Sequence, residues 1–86
     1  MDKSIFLQTF VMHLQRENIV FKQQHSHVRI NQVSDTKIAE FFADDQGNFE
    51  ASVVDLVHGK ILYRQQGQWQ DANQLIQQFQ TFQKQS

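Results

Sequence analysis

The chain has 86 residues, no cysteine, no proline and a formal net charge of −1. Without cysteine there are no disulfide staples and no thiolate metal sites, so stability has to come from packing. The charge balance argues against a protein whose main work is neutralising phosphates: the eight basic residues are scattered from Lys3 to Lys84, without the clusters that nucleic-acid binders use. One α+β domain over residues 1–86 is expected, its core built from eight phenylalanines and one tryptophan. Each buried aromatic removes roughly 150–250 Å² from water.

Phe6, Phe10 and Leu14 recur four apart, which predicts a helix from about Lys3 to Glu17. Asp2 or Ser4 suits its free first-turn donors, and Asn18 suits the left-handed position after its last turn. Phe6, Leu7, Phe10, Val11 and Leu14 form one broad apolar face; Ile5 and Met12 point away from it. Gln8, Thr9 and His13 interrupt the apolar run, and no stretch approaches the ~20 apolar residues of a membrane-spanning helix, so a cytoplasmic location is expected.

Strand-like alternation follows. Ile19 to Phe21 starts a strand and Val28 to Val33 reads as its partner, with a turn around Gln24-His25-Ser26. Residues 35–43 fit either a short helix capped by Ser34 or Asp35, or a strand leading into the turn Asp44-Asp45-Gln46-Gly47. The strand is preferred, because Phe49 to Val57 then completes a hairpin. His58-Gly59 has the length of a two-residue hairpin loop, a register that pairs Leu56 with Ile61 and Val54 with Tyr63. Val53, Val57 and Leu62 then lie on the second face, which is not fully polar and invites cover.

Gln66-Gly67 reads as a further turn, Gln68-Trp69 as a short edge strand with the indole sealing the core rim, and Asp71 to Gln74 as a capping box. The last helix turns Leu75, Ile76, Phe79 and Phe82 inward and a glutamine-rich surface outward. The chain holds 16 glutamines, dispersed among apolar positions as solvated faces of ordered elements rather than as a tract. The expected architecture is an antiparallel four- to five-stranded meander sheet flanked by an N-terminal and a C-terminal helix. The alternative adds a short helix at 35–43.

Chemistry is sparse. His25 and His27, two apart, would project to one side of an extended segment, but two imidazoles are no closed ligand set. Asp44 and Asp45 read as an acidic turn, since a calcium loop needs oxygen ligands at alternating positions ending in a bidentate acid. Asp55 would have a raised pKa if buried, yet such a residue usually marks the solvent face. Ser26, Ser34 and Ser52 lack a nucleophile context, and Gly47, Gly59 and Gly67 each sit at an expected turn rather than in a phosphate loop. No enzyme activity, cofactor or metal is expected. The function expected is that of a small non-catalytic binding or regulatory protein acting through protein–protein contacts, with homodimerisation among the options. Its candidate interaction surface is Ile5, Met12, Val53, Val57 and Leu62. The alternative is a nucleic-acid-associated accessory protein using Lys22, His25, His27 and Arg29 of the first hairpin.

Overall fold

In the computed structural model, which describes residues 2–86, the N-terminal periodicity resolves into helix α1 (Ser4–Arg16). The Asp2 carboxylate accepts the Ser4 N–H at 2.8 Å, satisfying one free donor of the first turn. At the other end Asn18 takes φ +56°, and the Ile19 and Asn18 N–H groups donate to the Leu14 and Gln15 carbonyls at 2.9 and 3.2 Å. This pair of bonds around a left-handed residue stops the helix and turns Ile19 back onto the core. The first strand, β1 (Lys22–Gln24), accordingly begins at Lys22 rather than at Ile19.

Strands β2 (His27–Val33), β3 (Lys37–Asp44), β4 (Asn48–Asp55) and β5 (Lys60–Gln68) follow, and helix α2 (Ala72–Gln85) ends the chain. The ambiguous segment at 35–43 is strand from Lys37 onward. Ser34 Oγ accepts the N–H groups of Thr36 and Lys37 at 3.3 and 3.1 Å, which closes a turn instead of starting a helix. The five strands form one antiparallel sheet in the order β1-β2-β3-β4-β5. The α+β meander with a helix at each end is thus the architecture present.

The β4–β5 hairpin departs from the expected register. Strand β4 stops at Asp55, opposite Lys60; Val54 faces Ile61 and Val53 faces Tyr63, with a bulge between them. Leu56, Val57, His58 and Gly59 make a four-residue loop. The cause is local: Asp55 Oδ1 accepts the Val57 N–H at 2.9 Å and Oδ2 takes the His58 Nδ1 at 2.7 Å, bonds that compete with the ladder. The expected Gln66-Gly67 turn is also absent. Gly67 lies inside β5 opposite Phe49, so Gln68 continues that strand and Trp69 lies beyond it.

Both helices pack on one face of the sheet. The buried strand residues alternate, namely Val28 and Ile30, then Ala39, Phe41 and Ala43, then Phe49, Ala51 and Val53, so they share that face. Onto them α1 lays Leu7, Phe10, Val11 and Leu14, and α2 lays Leu75, Phe79 and Phe82. The alanines leave room for a cluster of rings centred on Phe41, whose centroid lies 5.2 to 6.0 Å from those of Phe10, Phe49, Phe79 and Phe82. Phe6, expected in this core, lies at its edge and is 40% exposed. Trp69 is fully buried at the end of the sheet and donates its indole N–H to the Asn48 carbonyl at 3.2 Å. The cap of α2 is Asp71, whose carboxylate accepts the Gln74 N–H at 2.9 Å, while Gln74 Oε1 reaches back to the Gln70 N–H at 2.7 Å. No element among the described residues covers the opposite face of the sheet.

Candidate functional site

That uncovered face is the most differentiated surface of the molecule. The ladder arranges it in rows across the strands. Val33, Ile38, Val54 and Ile61 are successive register partners from β2 to β5 and form an unbroken apolar row. Its two ends are open to solvent, Val33 at 71% and Ile61 at 61% exposure. The loop residues Leu56 and Val57, with Leu62 at the bulge, extend the apolar character at the same end of the sheet. Loop and sheet are tied there: the Leu56 N–H donates to the Thr36 carbonyl at 2.8 Å, joining the β4–β5 loop to the β2–β3 turn.

The next two rows carry charge. Asn31, Glu40, Ser52 and Arg64 are register partners in one; Arg29, Phe42, Glu50 and Gln66 are partners in the other. The two rows form a shallow concavity of about 500 Å³ lined by Arg29, Glu40, Phe42, Glu50, Ile61 and Arg64 among others. The pattern repeats under a half-turn about the sheet normal: Glu40 exchanges with Glu50 and Arg64 with Arg29. Among the described residues the ion pair within 4.0 Å is that of His58 and Asp55, so these four charges have no counter-ion at that distance among those residues. Arg29 lies with Cζ 5.6 Å from the Phe42 ring centroid, and the His27 ring sits 5.2 Å from the same centroid.

The residues singled out in the sequence fall in different places. Val57 and Leu62, 65% and 49% exposed, border the apolar row. Val53 does not belong to any surface: it alternates in phase with Phe49 and Ala51 on the helix-covered face and is fully buried there. Ile5 and Met12 are exposed on α1, in the helical layer on the other side of the sheet. Ile5 is moreover at the far end, since the Lys3 N–H donates to Asp45 in the β3–β4 turn at 2.7 Å. The chain therefore does not bring those five residues together.

Of the first-hairpin set, Lys22 faces Arg29 across β1 and β2, and His27 shares their face, whereas His25 lies in the turn. His27 is opposite Asp44, and Phe42, next to Arg29, is opposite Glu50, so these basic residues are interleaved with carboxylates. Asp44 serves its own turn, accepting the N–H groups of Gln46 and Asn48 at 3.0 and 2.9 Å. Among the described residues no three His, Asp or Glu side chains are placed to hold a metal ion. No helix among them is long and apolar enough to cross a membrane.

Sequence reasoning missed Val33, Ile38, Val54 and Ile61 as a unit, along with Glu40, Glu50 and Arg64. Each sits singly in an alternating segment. They become one surface only when four strands are placed in register, and the usable signal was that Val33 and Ile38 flank a tight turn. No protein-family model matches the chain, and a search of curated proteins gives no match to its sequence.

Proposed function

We propose that this is a non-catalytic binding protein that docks a protein partner on its uncovered sheet face. One observation carries the reading: an apolar row spanning four strands, bordered by exposed loop residues, on a sheet whose other face carries both helices. Contiguous exposed apolar area rimmed by polar residues is the usual mark of an interaction site. The carboxylates best placed for acid–base chemistry, Asp44 and Asp55, are occupied in holding turns, which favours binding over catalysis.

The test is position-specific photo-crosslinking in cells. A benzophenone amino acid replacing Ile61 is expected to give a discrete cross-linked protein, lost when Val33→Asp is added. The same group replacing Gln77, on the outward side of α2, is expected to give none. Equal labelling from both positions, or none from Ile61, would rule the reading out. Cross-linking to nucleic acid, with binding that weakens steeply as salt rises, would move the site to Lys22, His27 and Arg29.

A further inference from the structure

We infer that the occupant of the uncovered face is a second copy of this chain, stacked sheet to sheet about a two-fold axis parallel to the strands and midway between β3 and β4. The inference rests on the docking reading above and names its partner. Such an axis lays β2 over the second copy's β5, and β3 over its β4, with every row meeting itself. The row Val33, Ile38, Val54, Ile61 is then buried against the same row, Val33 over Ile61 and Ile38 over Val54.

The charged rows decide between a second copy and an unrelated apolar partner. An apolar partner would cover the row but strip water from Arg29, Glu40, Glu50 and Arg64 without supplying counter-charges, and desolvated charges are costly unless paired. A second copy supplies them. Arg64 arrives over Asn31, one strand away from the second copy's Glu40. Arg29 arrives over Gln66, one strand away from its Glu50. One strand is about 4.8 Å, and stacked sheets lie about 10 Å apart, a gap that two opposed long side chains span. Glu40 falls over Ser52 and Glu50 over Phe42, so no like charges stack in register. The two charged rows carry two guanidinium and two carboxylate groups, and Lys22 and Asp44 at the margin of the face also balance, so two copies meet without net repulsion. This is the self-complementarity an isologous interface requires.

Size sets the strength. Four strands at about 4.8 Å spacing and seven residues at about 3.3 Å give roughly 400 Å² of plan area per copy, near the lower end for a specific interface even with side-chain relief. The dimer is therefore expected to be reversible, with dissociation in the micromolar range.

Sedimentation velocity on the full chain tests this. The mass is expected to rise from the single-chain 10.2 kDa towards twice that value over about 1–500 μM. The double variant Arg29→Glu/Arg64→Glu carries four carboxylates in the two charged rows, and Glu40→Arg/Glu50→Arg carries four guanidinium groups there. Each alone is expected to associate at least about tenfold more weakly. An equimolar mixture is expected to dimerise at least as well as the unaltered chain. All four positions are exposed, and circular dichroism checks that both variants are folded. If either is not, Ile61→Asp replaces it, with loss of the dimer expected. A chain that stays monomeric at about 500 μM overturns the second-copy inference. The docking reading would then stand or fall on whether the Ile61 cross-link contains a different protein. A dimer indifferent to both charge reversals overturns the face-to-face geometry and points to association along the open edge of β5.

Discussion

Gly67 lies against the rim of the Phe49 ring: a Cβ built on Gly67 would meet Phe49 Cε1 at 3.3 Å. The two residues are opposite each other in the β4–β5 ladder, and the ring edge lies where a side chain at 67 would begin. Phe49 has little freedom to move, because it stacks on Phe41 with centroids 6.0 Å apart and planes 19° apart. On strand propensity alone a β-branched residue at 67 would stabilise β5. The contact predicts the reverse, with Gly67→Val lowering stability by about 1–3 kcal/mol through overpacking. A urea midpoint equal to or above that of the parent chain would show that the ring gives way.

Val53 and Val54 are adjacent yet lie on opposite faces, one fully buried and the other half-buried on the uncovered side. Val53→Ala should cost about 2 kcal/mol, as expected for removing methyl groups from a packed core. Val54→Ala should cost well under half of that in a monomer, since its side chain is only partly removed from water. Chemical denaturation of the two variants at low protein concentration makes the comparison. Equal losses would contradict the placement of Val53 and Val54 on opposite faces of the sheet.

The same pair shows what was and was not legible in the sequence. Both helices could be read, because the four-residue recurrence of Phe6, Phe10 and Leu14, and the cap at Asp71, are local signals. The run Val53-Val54-Asp55-Leu56-Val57 was not divided, since apolar residues flank Asp55 on both sides and only the bonds made by Asp55 end the ladder. Gly67 looked like a turn because glycine's permissiveness is visible in a sequence while the ring it accommodates is not. That both helices share one sheet face is a property of long-range packing, and the candidate site is the other side of that fact. For this reason Val57 and Leu62 could be found singly, but the row from Val33 to Ile61 could not.

Trp69 joins two turns of the structure. Its backbone N–H donates to the Gly47 carbonyl at 2.8 Å, and its indole N–H donates to Asn48. Trp69→Phe keeps much of the apolar volume but leaves that carbonyl without its indole donor, at a cost of about 1–3 kcal/mol. Gly47, at φ +89°, has no room for a side chain either: a Cβ would sit 2.9 Å from the Trp69 carbonyl oxygen. Gly47→Ala should therefore cost more than about 1 kcal/mol. The single buried tryptophan provides the readout, with emission that shifts to longer wavelength on unfolding. A Trp69→Phe variant as stable as its parent by circular dichroism would remove the indole from this account.

Asp55 predicts how the protein responds to acid. The His58 side chain beside it holds its carboxyl below the ordinary value of 3.8, aided by the Val57 and His58 N–H groups and by the charge of Lys37, and opposed by partial desolvation. A carboxyl depressed in the folded state contributes stability that is present above its unfolded pKa and is lost as pH falls through its folded pKa. The loss should begin near pH 3.8 and be complete only below the folded value. Asp55→Asn keeps an oxygen that can accept the Val57 N–H, so the loop is retained while the ionisation is removed. Its unfolding midpoint should fall less steeply with acid than that of the parent chain. His58→Ala, which removes the largest cause of the shift, should flatten the same limb by a comparable amount. The measurement is a series of urea midpoints from neutral pH downward, and parallel curves for parent and Asp55→Asn would refute the assignment. Because Asp55 also anchors Leu56 and Val57 beside the apolar row, acid should loosen the rim of the proposed docking face before it unfolds the helices.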